Sequence, residues 1–332
     1  MSTMSVYDET TCPFSNAVPL PSVGHSVTDT EDLITLLPSS FRNSDNDILT
    51  TRHHVTAFID NELDIARLAV IHTWLWLAGL PIPPRPLHQQ ISLNRHIFIT
   101  ERMDMHLVWT TGRMYIKPLP RWLLTAAFWD KYLCERVGST KPDSPRQLHY
   151  RRALGFLYSY AALIAYESDF CIARDRCLIP KELTWAQWQA VVNELRLETI
   201  HARIDKRFHH GELRLGRLTK IYYFMETPGK GYVRFWNQTS TFFNDNLAWV
   251  AGSTVYLAIV LTAMQVGLSN EALMKSDSFQ SASYGFTVFA ILGPLVVVFG
   301  ILIAFCCLTI FSIVSTRKFC NEKDARIARG IS

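Results

Sequence analysis

The stretch "LAWVAGSTVYLAIVLTAMQVGL", residues 247–268, is 22 residues long and contains no charged residue. It lies within a charge-free segment, residues 246–270, and a second such segment covers residues 278–316. A helix crosses the hydrocarbon core of a bilayer with about 20 apolar residues. Helices of soluble proteins are rarely apolar on every side over that length. We therefore predict two transmembrane helices, residues 247–268 and 284–314, joined by a short outer loop.

The basic residues around the two spans predict their orientation. Lys220, Lys230 and Arg234 precede the first span, and a basic tail, residues 315–332, follows the second, whereas the loop of residues 269–283 contains only Lys275. Lys and Arg are retained on the cytoplasmic side of a membrane, so both termini are expected in the cytosol. The N-terminus lacks the layout of a cleaved signal peptide. These features predict a multi-pass membrane protein.

The chain before the spans has the composition of a folded domain. Residues 1–35 are polar and rich in Ser and Thr, which predicts a disordered tail. Residues 36–226 are expected to form a cytosolic α+β domain, mostly helical with a small antiparallel sheet. Residues 227–246 form an aromatic segment suited to the membrane interface. Its sequon at Asn237 is expected to carry no glycan, because this topology leaves it in the cytosol.

Periodicity predicts the elements of this domain. The runs "IFIT", "HLVW" and "RMYIKPL", between Ile97 and Leu119, favour strands, and the "TG" between the last two favours a hairpin. Helices are predicted over residues 60–79, 121–134, 154–170, 184–200 and 201–224. The third of these is strongly apolar but ends in Glu167 and Asp169, so we expect a buried core helix rather than a span. The fifth is basic and ends the domain.

No arrangement of residues indicates catalysis or metal binding. His53, His54, Asp60, Glu62 and Asp64 include metal-ligand types, but their spacing matches no metal motif and favours a capped helix start with surface histidines. The serine motif of hydrolases and phosphate-binding glycine loops are missing from the sequence. We therefore predict no enzyme, no catalytic residue, no cofactor and no metal site.

The cysteines also favour the absence of a metal site. The seven cysteines are irregularly spaced and form no CxxC motif, which favours free thiols over disulfides or a zinc site. Cys320, beside basic residues after the second span, is interpreted as a free thiol, with palmitoylation as the alternative.

Two groups of residues are candidates for binding. Basic residues next to the membrane favour contacts with lipid headgroups over contacts with nucleic acid. These residues are Arg203, Lys206, Arg207, Arg214, Arg217, Lys220, Arg317 and Lys318. Within the spans, small and polar residues favour helix packing, in one chain or in a homo-oligomer, or else a pore-lining face of an oligomer. These are Thr254, Ala258, Leu261 and Gln265 in the first span and Gly293 and Pro294 in the second.

Four blocks of the sequence carry a resemblance. They are "FIDNELDIARLAVIHTWLWLAGLPIPPRPLHQQ", "ERMDMHLVWTTGRMYIKPLPRWLL", "LGFLYSYAALIAYESDF" and "FQSASYGFTVFAILGPLV". On these blocks the chain, over roughly residues 35–315, resembles an uncharacterised family of fungal two-span membrane proteins, whose members are sometimes labelled subtilisin-like serine protease. More remotely, the layout is similar to that of CorA-type magnesium channels, with "AMQVG", residues 263–267, where that family has Gly-Met-Asn.

These observations lead to one prediction and two alternatives. The prediction is a non-enzymatic integral membrane protein whose cytosolic domain acts as a scaffold or sensor at the bilayer. The first alternative, implied by the CorA-like layout, is an oligomeric channel for a divalent cation. The second is an enzyme that acts on lipid, which requires a convergent polar pocket.

Overall fold

The computed structural model describes residues 12–14, 30–43, 45–135, 144–225, 239–270, 275–296, 299–300 and 303. The chain divides into two compact units, Met1–Tyr232 and Val233–Ser332. The sequon at Asn237, Cys320 and the basic tail with Arg317 and Lys318 lie outside the described residues. So do most of the aromatic segment and the C-terminal part of the predicted second span.

The described part of the N-terminal unit is mostly helical. Its α-helices are α1 (Thr30–Thr35), α2 (Val55–Glu62), α3 (Ala66–Val70), α4 (Leu75–Ala78), α5 (Leu87–Ser92), α6 (Ala126–Phe128), α7 (Pro145–Leu163), α8 (Glu167–Asp175), α9 (Trp185–Glu194) and α10 (Leu215–Met225). Its strands are β1 (Ser40–Arg42), β2 (Ile48–Thr50), β3 (His96–Ile99), β4 (Val108–Thr110), β5 (Arg113–Ile116) and β6 (Leu213–Arg214).

The larger sheet is mixed rather than antiparallel. Its strand order is β3-β5-β4-β6; β4 and β5 are antiparallel, whereas β3 runs parallel to β5 and β6 parallel to β4. The predicted strands and hairpin are confirmed, and Gly112 in the hairpin turn has φ +71°, a conformation that favours glycine. The prediction of a single antiparallel sheet is wrong, because both outer strands reach the sheet through crossover connections. Strands β1 and β2 form a separate antiparallel pair.

Helix α7 lies at the centre of the core, as predicted. Ser144 caps it by accepting a hydrogen bond from the Gln147 N–H, and Pro145 occupies its first turn. Twelve of its residues are buried. The predicted helix does not continue to residue 170, because the Asp169 carboxylate accepts the Tyr166 N–H at 3.1 Å and caps a new helix, α8. This segment is therefore a core helix, not a third span.

Two predicted long helices are broken in the structure. Residues 60–79 form α2, α3, a 3₁₀ turn and α4, because the Asp64 carboxylate accepts the Ala66 N–H at 2.8 Å and starts a new helix. The predicted buried face is nevertheless correct, since Leu68, Ile71 and Leu75 are all buried. Residues 121–134 are likewise helical in three short pieces rather than one.

The predicted basic helix of residues 201–224 is wrong in its first half. That half forms two 3₁₀ turns and strand β6, and α10 begins only at Leu215. At Gly211 the N–H donates to the Ile82 carbonyl at 2.9 Å, and a Cβ there would lie 2.4 Å from the Pro84 nitrogen. This close approach between distant parts of the chain holds the backbone out of a helix.

The predicted disordered tail contains ordered residues that belong to the core. Phe14 is buried, with its ring centroid 5.9 Å from that of Trp129, and Leu33 in α1 is buried as well. Residues 1–11 and 15–29 of the tail lie outside the described part of the chain.

The C-terminal unit contains two long helices, α11 (Thr239–Leu268) and α12 (Asp277–Val296). Helix α12 has 20 residues and is long and apolar enough to cross a membrane, and 6% of its apolar window is buried. It begins before the predicted residue 284, so the second half of the predicted loop is helical. The apolar part of α11, Gly252–Leu268, ends at the predicted residue. The two helices touch where the Phe279 ring lies against Gly267.

Candidate functional site

A cavity of about 160 Å³ opens between α4 with its following loop, strands β4 and β6, and the start of α10. We call it the arginine pocket. It is lined by Ala78, Gly79, Leu80, Ile82, Pro83, Arg85, Trp109, Glu212, Arg214 and Arg217. Because one water molecule occupies about 30 Å³ in the liquid, the cavity is large enough for a phosphate-sized group.

Close backbone packing forms one wall of the pocket. A Cβ at Gly79 would lie 2.2 Å from the Glu212 carbonyl oxygen, so only glycine allows α4 to end against the strand-forming segment. Together with the approach at Gly211, this contact brings residues 78–85 beside residues 211–217.

The single carboxylate of the pocket is already fully engaged. Glu212 accepts hydrogen bonds from the Arg95 guanidinium at 2.7 Å, from the Gln90 amide at 2.7 Å and from the Arg85 N–H at 3.1 Å. Burial raises the pKa of Glu212, but the hydrogen bonds from Arg95, Arg85 and Gln90 outweigh it, so the pKa is lowered below its ordinary value. The carboxylate therefore stays ionised and holds the buried Arg95.

Three further arginines leave the pocket positively charged. The Arg214 guanidinium lies 5.3 Å from the centroid of the Trp109 ring, which Arg95 covers at 4.1 Å. Arg217 donates to the Leu77 carbonyl at 3.1 Å, and the Arg85 Nε lies 3.5 Å from Glu212. Arg85, Arg214 and Arg217 are all substantially exposed to solvent. Three accessible cations thus surround one neutralised carboxylate, which favours an anionic ligand.

The mouth of the pocket is apolar. Trp76, Leu80 and Ile82 are 60%, 66% and 47% exposed, although each is a large hydrophobic residue. We call these three residues the apolar rim. Leu80 and Ile82 line the cavity and Trp76 lies in the adjoining helix α4, and exposed apolar residues next to a polar cavity are typical of interaction surfaces.

The structure separates the predicted headgroup residues into two groups. Arg214, Arg217, Lys220 and Lys206 are exposed. Arg207 is 2% exposed, and its guanidinium donates to the carbonyls of His106 and His210, so the prediction of a lipid contact there is wrong.

Arg203 is half-buried and donates to the Tyr150 hydroxyl at 2.7 Å. Sequence reasoning missed Arg85 and Trp109, which lie more than 100 positions from Arg214 and Arg217 along the chain. The signal that was present in the sequence was an arginine within the proline-rich segment "PIPPRP".

The predicted small and polar residues of α11 mostly face away from α12. Thr254, Ala258 and Gln265 are exposed, whereas Leu261 is half-buried. Among the described side chains, the less exposed positions are Leu257, Val260, Leu261, Met264 and Gly267 in α11 and Phe279, Ser283, Phe286, Val288, Ala290 and Gly293 in α12. Apart from Val288, both sets recur at helical spacing, and the α12 helix continues through Pro294.

A buried polar cluster in the N-terminal unit has the wrong proton arrangement for serine activation. The Lys117 N–H donates to His106 Nδ1 at 3.1 Å, so Nε2 carries the proton and donates to the Ser159 hydroxyl at 2.8 Å. Ser159 in turn donates to the Phe156 carbonyl. Burial, Arg207 and Lys117 together hold the pKa of His106 well below its ordinary value. His106 is therefore a hydrogen-bonded core residue rather than a base poised on Ser159.

The acidic residues considered as metal ligands have other partners. Asp60 lies 3.0 Å from His149, and Glu62 lies 2.7 Å from the buried Lys117. No group of three or more His, Cys, Asp or Glu side chains suited to a metal ion occurs among the described residues. Cys12, Cys171 and Cys177 carry free thiols.

The chain belongs to the family of unknown function DUF6601, whose model matches residues 55–294. The match covers the sheet, the arginine pocket, α11 and most of α12. No curated protein matches the chain, and no solved structure does.

Proposed function

We propose that this member of the DUF6601 family is a non-enzymatic integral membrane protein. In this proposal α11 and α12 form a transmembrane hairpin that holds the N-terminal unit at the cytosolic face of a bilayer, where it acts as a scaffold or sensor. The observation that carries the proposal is α12, an apolar helix of 20 residues that the folded chain leaves almost wholly unburied.

The exposed surface of the two helices supports a lipid environment. Val255, Ile259, Phe289 and Val296 are each more than half exposed. Exposed apolar area costs roughly 25 cal/mol per Å² in water, and monomeric soluble proteins rarely expose continuous apolar patches of more than a few hundred Å². In hydrocarbon this cost disappears, because lipid tails are as apolar as the side chains.

The contact at Gly267 supports a hairpin. Small residues at helix interfaces let backbones approach closely in membranes, and here Phe279 fills the space that a side chain at Gly267 would occupy. Eight positions separate the end of α11 from the start of α12, which suits a short loop on one side of the bilayer.

Alkaline carbonate extraction of membranes tests the anchor. The full chain is expected to stay in the pellet, whereas release into the supernatant would refute the proposal.

Labelling of single cysteines with a membrane-impermeant maleimide tests the orientation. A cysteine at Lys275 is expected to react in intact cells, and one at the exposed Lys181 only after permeabilisation.

A channel for a divalent cation is the second candidate. Its support is the outward position of Thr254, Ala258 and Gln265 on α11, because a polar stripe that does not face α12 is free to line an oligomeric pore. Liposomes containing the full chain are then expected to show Mg²⁺ flux that Gln265→Leu abolishes. Flux equal to that of empty liposomes would eliminate this candidate.

A further inference from the structure

We propose that the arginine pocket and the apolar rim form one docking surface for an anionic bilayer, with a lipid phosphate bound in the pocket. The surface belongs to the N-terminal unit, so this interaction is separate from the insertion of α11 and α12. The inference rests on the proposed membrane anchor. It would make the domain a sensor of anionic lipid rather than a domain that α11 and α12 merely hold near the membrane.

The charge of the pocket selects the class of ligand. Arg85, Arg214 and Arg217 line the same cavity. Among the described residues that line it, the one carboxylate is Glu212, which already accepts hydrogen bonds from Gln90, from Arg95 and from the Arg85 N–H. Guanidinium groups bind phosphate oxygens with two parallel hydrogen bonds. Each basic residue near an anionic leaflet adds to the attraction between the domain and the membrane.

The apolar rim selects a bilayer over a free anion. Leu80 and Ile82 line the same cavity as the three arginines, and Trp76 lies in the adjoining helix α4. Water gives these side chains no favourable partner, whereas the boundary between headgroups and acyl chains accommodates both an indole ring and aliphatic groups. Lys220, exposed on the same helix as Arg217, adds a further cation.

The anchor makes modest affinity sufficient. A domain tethered to a membrane meets its surface at a high effective concentration, so docking becomes an intramolecular step. A change in the anionic lipid content of the leaflet would then shift the domain between docked and undocked populations.

Hydrogen exchange on the full chain in nanodiscs tests the proposal. The nanodiscs contain phosphatidylcholine alone or phosphatidylcholine with about 25% phosphatidylserine, a composition that supplies the negative surface potential. Peptides covering residues 76–85 and 212–221 are expected to exchange several-fold more slowly in the anionic nanodiscs, because docking suppresses local opening. Equal exchange in both nanodiscs would overturn the proposal.

Matched variants identify the residues responsible. The difference in hydrogen exchange between the two nanodiscs is expected to disappear in a triple variant that combines Arg85→Gln, Arg214→Gln and Arg217→Gln. The control triple variant removes the same charge from exposed positions at and beyond the end of α8, by Arg174→Gln, Arg176→Gln and Lys181→Gln. This control is expected to keep the difference in hydrogen exchange. Loss in both triple variants would show a general charge effect and overturn the assignment to the pocket.

A second pair of variants tests the apolar rim and guards against misfolding. Leu80→Gln combined with Ile82→Gln is expected to reduce the slowing of hydrogen exchange in anionic nanodiscs by at least half. The control, Ile91→Gln combined with Leu93→Gln, is also at exposed positions and should leave this slowing unchanged. Inorganic phosphate added to phosphatidylcholine nanodiscs is expected to give no protection. Full protection by phosphate would show a free-anion site and refute bilayer docking.

The outcomes separate this inference from the proposed anchor. A chain that fails to enter nanodiscs refutes the anchor. A chain that enters but shows no dependence on anionic lipid refutes the docking surface alone.

Discussion

Helices α7 and α12 have nearly the same length, 19 and 20 residues, yet the structure treats them in opposite ways. Around α7, strands and helices from the whole N-terminal unit bury Leu154, Phe156 and Tyr160 completely. Along α12, Phe289, Leu295 and Val296 are each more than 60% exposed. Two helices of nearly equal length in one chain therefore differ in their surroundings: the protein buries most of α7, whereas most of α12 is exposed.

The difference also extends to charge. The N-terminal unit buries ionised groups and pairs them, as Lys117 with Glu62 and Arg95 with Glu212. After Asp277, α12 has no ionisable residue except Tyr284. A core surrounded by water can keep a charge if a partner is built in, whereas lipid excludes charge altogether. The four predictions below test this contrast, beginning with the largest expected effect.

Removing the buried amine of Lys117 is expected to damage the N-terminal unit alone. Lys117 is 1% exposed and pairs with Glu62, so Lys117→Met leaves a buried carboxyl without its partner and should cost about 3–5 kcal/mol of unfolding free energy. The measurement is the urea midpoint of detergent-solubilised protein, followed by tryptophan fluorescence. The exposed Lys181→Met is the control. Carbonate resistance should not change; if it fell, the two units would not be independent.

A charge placed on α12 is expected to damage membrane insertion alone. Ile291 is 60% exposed, and Ile291→Arg should reduce the carbonate-resistant fraction strongly, because arginine at the centre of a span costs about 2.5–3.5 kcal/mol. Ile48, which is 66% exposed in the N-terminal unit, supplies the control Ile48→Arg. Equal extraction of the two variants would place α12 outside lipid and remove the contrast.

Acid is expected to weaken the N-terminal unit through His106. Its pKa is held well below 6.5 in the folded protein, so the unfolded chain takes up the proton first as pH falls. Stability is therefore complete above about pH 6.5 and is lost below it, at up to about 1.4 kcal/mol per pH unit for this group.

Urea midpoints of the wild type and His106→Gln at pH 7.5 and 5.5 measure this effect. The wild type should lose more stability than His106→Gln between these values, while the exposed His53→Gln should behave as the wild type. Burial also lowers the pKa values of His149 and His210. Every variant should therefore lose some stability between pH 7.5 and 5.5, including His106→Gln. If the wild type and His106→Gln lost the same stability between the two pH values, His106 would not be the source of the acid effect.

The smallest effect is expected where the two C-terminal helices touch. A Cβ at Gly267 would lie 2.5 Å from the end of the Phe279 ring, whereas nothing lies within 4 Å of one at Gly252. Gly267→Ala should speed hydrogen exchange at the end of α11 by a few-fold, since overpacking costs about 1 kcal/mol when a side chain can turn aside. Gly252→Ala should not. The reverse order would argue against the hairpin.

Local chemistry made part of this architecture predictable. Thr184 with Gln187 forms the capping box that starts α9, and residues 111–112 form the turn of the hairpin. Both signals lie within a few residues of one another in the sequence. The apolar helices were visible because hydrophobicity over about 20 residues is itself a local property.

Long-range contacts account for what could not be predicted. Helix propensity favoured one basic helix after residue 200, but Gly211 is held by Ile82, which is 129 positions earlier, and β6 pairs with β4. The arginine pocket depends on the same contact, so a sequence reading found Arg214 and Arg217 but missed Arg85. Tertiary contacts of this kind override propensities worth less than about 1 kcal/mol per residue.

The position of Phe14 sets a limit on how the protein can be shortened. Its ring packs edge-on against Trp129, and Cys12 nearby is buried enough that its pKa is raised to about 12. Trimming the chain to residue 36, where composition places the start of the domain, would remove Phe14 and Leu33 from the core and expose the indole that Phe14 covers. A soluble fragment suited to crystallisation should therefore begin upstream of Cys12.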